Sequence, residues 1–336
     1  MKLSELGEFG LVQRVAKDLV TSPGKVLKGI GDDTAVLRMD REKLLLMTTD
    51  MLVEGVHFSF DFARPKEVGK KALVVNISDI AAMGGLPTHA TVAIGIPPGF
   101  SFKKIEAIYA GLREACTTYR VNIVGGDTVK SPDHLVINVS LIGEVEPFRV
   151  IYRSGARPGD LIAVTGPLGG AAAGLHALQH PDPDFPRNTF KVLRTRHLLP
   201  VPRVREGRLL SGSGGVSAMN DISDGLASEV NEICQASGTG CLLRSEDIPV
   251  DSSARELAEF CGLDPLDWAL YGGEDYELVF TVKPDRVEAV KALMAEKGYA
   301  LYICGEITSA GEECRLINPA GVEVPLEPGG YNHFRE

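Results

Sequence analysis

Apolar runs of strand length alternate with longer stretches of helical spacing along most of this sequence, and that alternation limits the possible folds more than any other feature. Residues 43–49 form an apolar run that leads to Asp50 and predicts a strand. Residues 65–83 place their apolar side chains on one helical face, and residues 135–141 alternate as a half-buried strand. Strands and helices that alternate in this way are typical of α/β proteins.

A turn-rich stretch at residues 153–160 divides the sequence into two blocks. The chain has 336 residues, more than one hydrophobic core usually serves, so we predict two domains, residues 1–148 and 149–336, of the α/β (α+β) class. In the second block, strands are predicted at residues 161–164, 216–219, 276–282 and 301–304, with helices after residues 166–170, from Leu226 and at 285–297. Ile77-Ser78-Asp79 recurs as Ile222-Ser223-Asp224, which is weak support for duplicated domains.

Composition excludes several classes of function. No apolar stretch reaches the roughly 18 residues of a membrane helix, and no signal-like segment begins the chain, so we expect a cytoplasmic protein without a membrane partner. The formal net charge of −10 argues against nucleic acid as a partner. None of the six cysteines form a C-x-x-C pair, so we expect reduced thiols rather than a zinc site or a disulfide framework.

Five short segments place a carboxylate beside Gly, Ser or Thr, at or near the end of an apolar run. They are residues 29–33 (GIGDD), 48–50 (TTD), 76–79 (NISD), 125–127 (GGD) and 221–225 (DISDG). Mg²⁺ prefers hard oxygen ligands, usually one or two carboxylates together with waters and phosphate oxygens. Glycine lets the backbone approach a phosphate closely, and neighbouring N–H groups can donate to it. Together the segments predict a site for Mg²⁺ and a phosphorylated ligand, provided that the fold brings them together.

Each segment taken alone has a simpler explanation as a turn or a helix cap. Asp79 is the exception, because a carboxylate on an apolar helix face is costly unless it is paired or metal-bound. Two carboxylates about 5 Å apart repel by about 3 kcal/mol at an effective dielectric near 20, so five or six would gather only with cations. The sequence contains neither a G-x-x-x-x-G-K-[ST] loop nor the protein-kinase motifs, which argues against those two nucleotide-binding classes.

Seven segments, taken in order, resemble the thiamine-monophosphate kinase family. They are GIGDD at 29–33, TTDMLVEGVHF at 48–58, NISDIAAMG at 76–84, GGDT at 125–128, RSGA at 153–156, ISDGL at 222–226 and YGGEDYEL at 271–278. The resemblance implies a two-domain fold like that of aminoimidazole ribonucleotide synthetase, with the N-terminal domains paired in a homodimer. It also implies direct in-line phosphoryl transfer from ATP to thiamine monophosphate, which yields thiamine diphosphate. Several Mg²⁺ ions are implied, and a K⁺ requirement stays open.

The same resemblance implies roles for individual residues. The implied Mg²⁺ ligands are Asp33, Thr48, Thr49, Asp50, Asp79, Asp127, Asp221 and Asp224. The implied ATP contacts are Gly126, Asp127, Arg153 and Ser223, and the implied thiamine-monophosphate contacts are His57, Glu274 and Tyr331. Asp50, Asp127, Arg153 and Asp224 are implied to be catalytic. The family often has Trp where this chain has Tyr331, and either aromatic face suits a cationic thiazolium ring.

Two other functions stay open at this point. A sister enzyme of the same superfamily, either selenophosphate synthetase or a synthetase that activates an amide oxygen, would share the acidic segments. Selenophosphate synthetase typically carries a Cys or selenocysteine in a glycine-rich N-terminal loop, whereas the first cysteine of this chain is Cys116. The other alternative is a non-catalytic metal- or nucleotide-binding protein, which would bind ATP without turnover.

Overall fold

The computed structural model describes residues 26–28, 31–39 and 42–330. The amphipathic pattern of residues 5–19 predicts a further helix, but that segment and Tyr331 lie outside the described residues. Within them, the chain forms two mixed β-sheets, one from each block of the sequence, and helices accompany both. This arrangement confirms the predicted α/β fold class.

The first sheet has six strands in the order β1-β2-β3-β6-β4-β5. The strands are β1 (Val26–Lys28), β2 (Ala35–Arg38), β3 (Leu44–Val53), β4 (Leu86–Ile96), β5 (Asn122–Lys130) and β6 (Val136–Val145). Buried residues recur at every second position of β6, so one face of the sheet is apolar. Helix α1 (Pro65–Ala82) packs on that face, and α2 (Phe102–Tyr119) packs against α1.

The second sheet has seven strands in the order β13-β12-β9-β11-β7-β10-β8. The strands are β7 (Leu161–Val164), β8 (Val216–Asp221), β9 (Gly240–Arg244), β10 (Leu278–Val282), β11 (Tyr302–Thr308), β12 (Cys314–Ile317) and β13 (Glu323–Pro325). The helices of this block are α3 (Gly170–Gln179), α4 (Arg187–Leu198), α5 (Val204–Gly212), α6 (Leu226–Ser237), α7 (Ser252–Cys261), α8 (Pro265–Tyr271) and α9 (Val287–Glu296).

Helix α1 lies at the junction of the two blocks. It touches β3 and β6 on one side and α5 and β8 on another. Glycine allows α2 to approach α1 closely, because a Cβ on Gly111 would lie only 1.9 Å from the backbone oxygen of Lys66. As a result α1 is buried along nearly its whole length, and Asp79 in its last turn faces the second block.

Ion pairs also join the two blocks. The guanidinium of Arg194 on α4 donates to the carboxylate of Glu67 on α1 at 2.7 and 2.8 Å. Arg208 on α5 donates to Glu146, just after β6, at 2.9 Å. The predicted boundary between residues 148 and 149 stays a prediction, and it falls in the connection between β6 and β7.

Two acidic segments lie inside strands rather than at strand ends. The strand predicted to end at Asp50 runs on to Val53, because β6 pairs with β3 along its full length. Residues 125–127 belong to β5, where Gly125, Gly126 and Asp127 continue the parallel pairing with β4. In the part of the chain that the structure describes, no helix combines the length and the hydropathy needed to cross a membrane.

Candidate active site

Three polar side chains from the first block meet between β3 and α1. Thr48 and Asp50 are two residues apart on β3, so both point to the face covered by α1. The hydroxyl of Thr48 donates to Oδ2 of Asp79, in the last turn of α1. The strand-and-helix pairing of this block therefore places one hydroxyl and two carboxylates together.

Two more carboxylates approach from either side of the junction. Asp33 precedes β2 and is only 9% exposed, and Asp221 ends β8 of the second block and is 2% exposed. Arg153 connects Asp33 to the second block, because its Nε donates to Oδ1 of Asp33 at 3.0 Å and its Nη1 lies 2.8 Å from Oε2 of Glu232 on α6. The structure thus brings Asp33, Asp50, Asp79 and Asp221 within electrostatic range of one another, and these four are here called the carboxylate cluster.

The electrostatics of the carboxylate cluster confirm that its members are close together. Burial, together with the charge of Asp221, raises the pKa of Asp50 to about 7. Burial raises the pKa of Asp221 to about 6. Burial and the charges of Asp50, Asp221 and Asp33 raise the pKa of Asp79 well above its ordinary range. Four buried carboxyl groups with raised pKa values at one place form a site that favours cations.

The oxygen atoms of this cluster fit a hard cation. Asp33 and Asp221 each have a buried Oδ2 atom that makes no hydrogen bond to any described residue. A buried carboxylate oxygen without a donor is costly, and an ion would remove that cost. Carboxylates and hydroxyls are the donor types that Mg²⁺ prefers, so the residues present suit magnesium.

Thr49 and Asp127 lie elsewhere on the sheet. The Thr49 hydroxyl is on the opposite face of β3 from Asp50, where it donates to the Val139 carbonyl at 3.1 Å. Gly126 is in line with Asp50 across β6 and β4, through Val139 and Val92, so Gly126 and Asp127 are three strands away, about 14 Å along the sheet. Asp127 is exposed, and its carboxylate accepts the backbone N–H of Thr128 at 2.8 Å.

The segment that carries Ser223 and Asp224 packs tightly against the segment that carries Glu274. The backbone N–H of Glu274 donates to the carbonyl of Ser223 at 2.7 Å. Gly225 adopts φ +100°, and a Cβ there would lie 2.6 Å from the carbonyl oxygen of Leu270. The Ser223 hydroxyl and the Asp224 backbone N–H both donate to Oε1 of Glu229, at 3.2 and 3.0 Å. The segment that carries Ser223 and Asp224 and the segment that carries Glu274 therefore form one structural unit at the N-terminus of α6.

Glu274 has two cationic or potentially cationic partners that the sequence did not indicate. Nζ of Lys71 on α1 lies 2.6 Å from one carboxylate oxygen, and Nδ1 of His197 on α4 lies 3.0 Å from the other. Both partners are about 3% exposed in their side chains. Burial acts to raise the pKa of Glu274, but Lys71 and His197 outweigh it and hold that pKa at about 2. Glu274 also adopts φ +70°, which is uncommon for a residue with a side chain.

His57 lies in the turn after β3. Its Nδ1 accepts the backbone N–H of Val53 at 3.1 Å, so the neutral ring carries its proton on Nε2. This bond fixes the orientation of the ring at the end of the strand that supplies Asp50. Sequence reasoning missed Lys71, His197, Glu229 and Glu232, although a lysine within the apolar run of α1 is a signal that could have been used for Lys71.

Comparisons with known proteins agree with this architecture. Residues 31–145 match the family model of the AIR synthase related protein, N-terminal domain, and residues 157–316 match that of the C-terminal domain. A solved structure of AaThiL complexed with AMPPCP and TMP superposes with a TM-score of 0.86 and 36% sequence identity, covering 99% of each chain.

Curated relatives match over almost the whole length. Thiamine-monophosphate kinase from Bacillus subtilis is 36% identical over 331 residues, which cover 98% of this chain and 100% of the relative. Thiamine-monophosphate kinase from Aquifex aeolicus is 36% identical over 338 residues, which cover 99% of this chain and 100% of the relative. The resemblance inferred from the seven ordered segments is thereby confirmed, and the chain belongs to the thiamine-monophosphate kinase family of AIR synthase related proteins.

Proposed function

We propose that this protein is a kinase that transfers the γ-phosphoryl group of ATP to thiamine monophosphate, giving ADP and thiamine diphosphate. The observation that carries the proposal is the carboxylate cluster, which joins Asp33, Asp50 and Asp79 of one block to Asp221 of the other. A site that gathers so much negative charge needs cations and, through them, a polyphosphate ligand. The family to which the chain belongs supplies the acceptor.

Magnesium is the cation proposed for the carboxylate cluster, held by Asp33, Asp50, Asp79 and Asp221 with the Thr48 hydroxyl. When bound, Mg²⁺ neutralises charge on the phosphates and stabilises the charge that develops during transfer. Asp224, Asp127 and Thr49 remain proposed ligands on the strength of the resemblance. The protein's contribution is a rigid frame, because β3, α1 and β8 each fix one or more of the ligands.

ATP contacts are proposed for Arg153, Ser223, Gly126 and Asp127. Arg153 is held between Asp33 and Glu232, with its Nε also donating to Oδ1 of Asn220 at 3.2 Å. A guanidinium fixed in this way suits phosphate oxygens, which it can bind with two parallel hydrogen bonds. Catalytic roles are proposed for Arg153 as well as for Asp50, Asp127 and Asp224.

Thiamine monophosphate is proposed to contact His57, Glu274 and Tyr331. Glu274 stays ionised because Lys71 supplies a positive charge and His197 lies within hydrogen-bond distance, although burial lowers the pKa of His197 itself, so Glu274 can accept a hydrogen bond without taking up a proton. The acceptor is a phosphate oxygen that is already anionic near neutral pH, and no general base is needed to activate it. We propose direct transfer without a phosphoenzyme, which predicts inversion of configuration at a chiral γ-phosphorus.

A homodimer is proposed through the outward face of the first sheet. On that face Met47 and Met51 of β3 are 44% and 53% exposed, and Val129 of the edge strand β5, paired with Gly95, is 55% exposed. Large exposed apolar residues on one sheet are typical of an interface. Light scattering after gel filtration measures the mass, and Met51→Lys should shift a dimer towards monomer.

We place the ATP-dependent phosphorylation of thiamine monophosphate in the cytoplasm.

The first test is release of ADP in the presence of ATP and Mg²⁺, with thiamine monophosphate, with thiamine, or with no acceptor. We expect ADP and thiamine diphosphate to form in equal amounts, and only with the monophosphate. ATP binding without turnover would refute the kinase proposal, and turnover only with a different phosphorylated acceptor would refute the proposed substrate.

A further inference from the structure

Three cysteines converge in the second block, far from the acidic segments in the sequence. Cys234 lies on α6, Cys241 on β9 and Cys314 on β12, and their sulfur atoms all lie within 4.8 Å of one another. Cys241 and Cys314 face each other across neighbouring parallel strands. The chain turns back after α6 at Gly238, which brings Cys234 over Cys241 only seven residues later in the sequence.

The environment of these thiols differs from that of the other cysteines. The three sulfur atoms are one another's neighbours, the backbone N–H of Thr239 donates to the carbonyl of Cys234 at 3.0 Å, and the buried Thr239 hydroxyl has no hydrogen-bond partner among the described residues. Cys304 on the neighbouring strand β11 is also buried, but its sulfur donates to the carbonyl of Ile162 instead. Cys234 and Cys241 are 2% and 0% exposed, whereas Cys314 is half-buried and leaves one side open to an ion.

We propose that Cys234, Cys241 and Cys314 form a binding site for a thiophilic closed-shell cation, Zn²⁺ or Cu⁺. Thiolates select these ions over the hard cations that suit carboxylates. Three sulfurs around Zn²⁺ at about 2.3 Å lie about 3.8 Å apart in a tetrahedral arrangement, so the sulfurs need to approach by about 1 Å at most. With Zn²⁺ the fourth donor is a water oxygen, which reaches the site beside the half-buried Cys314. Binding releases the three thiol protons to solvent.

A metal ion bound by the three cysteines would stabilise the fold and would not take part in phosphoryl transfer. It ties α6 to β9 and β12, and the first turns of α6 carry Glu229, which holds Ser223 and Asp224. This inference is independent of the proposed kinase activity, because it concerns other residues and a different class of ion. The simpler alternative is that the three cysteines are small apolar core residues.

The test uses the full-length protein, reduced with a phosphine, stripped of metals and kept in excess Mg²⁺ to occupy the carboxylates. Titration with Co²⁺ should produce a thiolate-to-metal charge-transfer absorption that saturates at one ion per chain. Displacement of Co²⁺ by Zn²⁺ would assign the site to Zn²⁺. In a separate experiment the protein competes with a chromophoric ligand for Cu⁺. Binding of Cu⁺ without binding of Zn²⁺ would assign the site to Cu⁺.

Cys314→Ser is the first variant because Cys314 is the most exposed of the three, with Cys261→Ser and Cys304→Ser as exposed and buried controls. We expect Cys314→Ser to weaken binding by about 100-fold or more, while both controls bind as the unaltered chain does. Zn²⁺ or Cu⁺ should raise the melting temperature of the unaltered chain but not of Cys314→Ser. Absence of tight binding by either ion, or binding that survives in Cys314→Ser, would overturn the proposal. Circular dichroism and ADP release verify that the variant is folded.

Discussion

Two acidic sites lie at the junction between the blocks, Glu274 and the carboxylate cluster, and their pKa values are shifted in opposite directions. Glu274 is held by Lys71 and His197, which keep its pKa at about 2. In the carboxylate cluster, burial together with the charge of Asp221 raises the pKa of Asp50 to about 7. Arg153 lowers the pKa of Asp33, but burial outweighs it, and burial together with the neighbouring carboxylates also raises the pKa of Asp79.

The difference indicates the source of the positive charge that balances each acidic site. At Glu274 the chain provides them, so that carboxylate is part of the folded framework and stays ionised whether or not a ligand is bound. At the carboxylate cluster the proposed Mg²⁺ ions would come from solution. Ligand binding then stabilises the fold by mass action. The two groups should therefore respond differently to substitution, to acid and to salt.

The largest expected effect is on catalysis, from Asp50→Asn. We expect kcat to fall by about 100-fold or more, equivalent to about 3 kcal/mol of transition-state stabilisation, because one proposed Mg²⁺ ligand is lost. Without Mg²⁺ the same variant should melt at or above the temperature of the unaltered chain, since it removes a carboxylate that is disfavoured by burial and by repulsion from Asp221. The measurements are ADP release at saturating Mg²⁺ and a thermal melt.

The control for this variant is Asp133→Asn, at an exposed turn between β5 and β6. It should change neither the rate nor the melting temperature. An unchanged rate for Asp50→Asn would contradict the metal role, and a large drop in its metal-free melting temperature would contradict the repulsion.

The next effect is on stability, from Lys71→Met, which leaves Glu274 without its nearest cation. We expect the free energy of unfolding to fall by about 2 kcal/mol, less than the roughly 3–5 kcal/mol for a fully buried pair, because the Glu274 side chain is 26% exposed. The double variant Lys71→Met/Glu274→Gln should recover part of this loss. Urea unfolding measures all three variants.

Lys70→Met is the matched control, since Lys70 is the preceding residue of α1 but pairs with the more exposed Glu114. It should have much the smaller effect on unfolding. Strictly additive effects of Lys71→Met and Glu274→Gln would show that the two side chains are not coupled.

A third effect is the pH dependence of the stability that Glu274 contributes. The folded pKa of Glu274 is lowered from 4.5 to about 2, so its contribution to stability is complete above the unfolded pKa of 4.5 and is lost as pH falls towards 2. The stability difference between the unaltered chain and Glu274→Gln should therefore be constant above pH 4.5 and shrink below it. Urea midpoints of both proteins, taken from pH 7 down to the lowest pH at which they fold, provide the measurement. A difference that grows on acidification would refute the ion pairing.

The same contrast explains how much was predictable from the sequence. The sequence indicated the four members of the carboxylate cluster, because each belongs to a short segment that also contains glycine, serine or threonine. They are Asp33, Asp50, Asp79 and Asp221. The fold class followed from alternating patterns that are local in the chain. Lys71 and His197 were not visible, because their role arises only where α1 and α4 meet at Glu274, and that contact joins residues far apart in the sequence.

Strand details escaped prediction for a related reason. The ends of β3 and β5 depend on which strands pair with them, and a short window of sequence contains no information about the partner strand. The convergence of Cys234, Cys241 and Cys314 was missed likewise: no two of them have metal-site spacing, and the parallel pairing of β9 with β12 creates the cluster. The metal-ligand roles predicted for Thr49, Asp127 and Asp224 stay predictions.

The smallest expected effect comes from a carboxylate that shares the low pKa of Glu274 without its burial. Hydrogen bonds from Lys66 and Lys70 lower the pKa of Glu114 to about 2, yet the side chains of Glu114 and Lys66 are 43% and 57% exposed. Water and salt screen such pairs, so Glu114→Gln should shift the urea midpoint barely measurably at low salt and not at all in high salt. Glu274→Gln should keep its effect in high salt, because its partners are shielded from solvent. An equal, salt-sensitive loss in both variants would mean that burial does not separate the two carboxylates and that the contrast drawn from Glu274 is wrong.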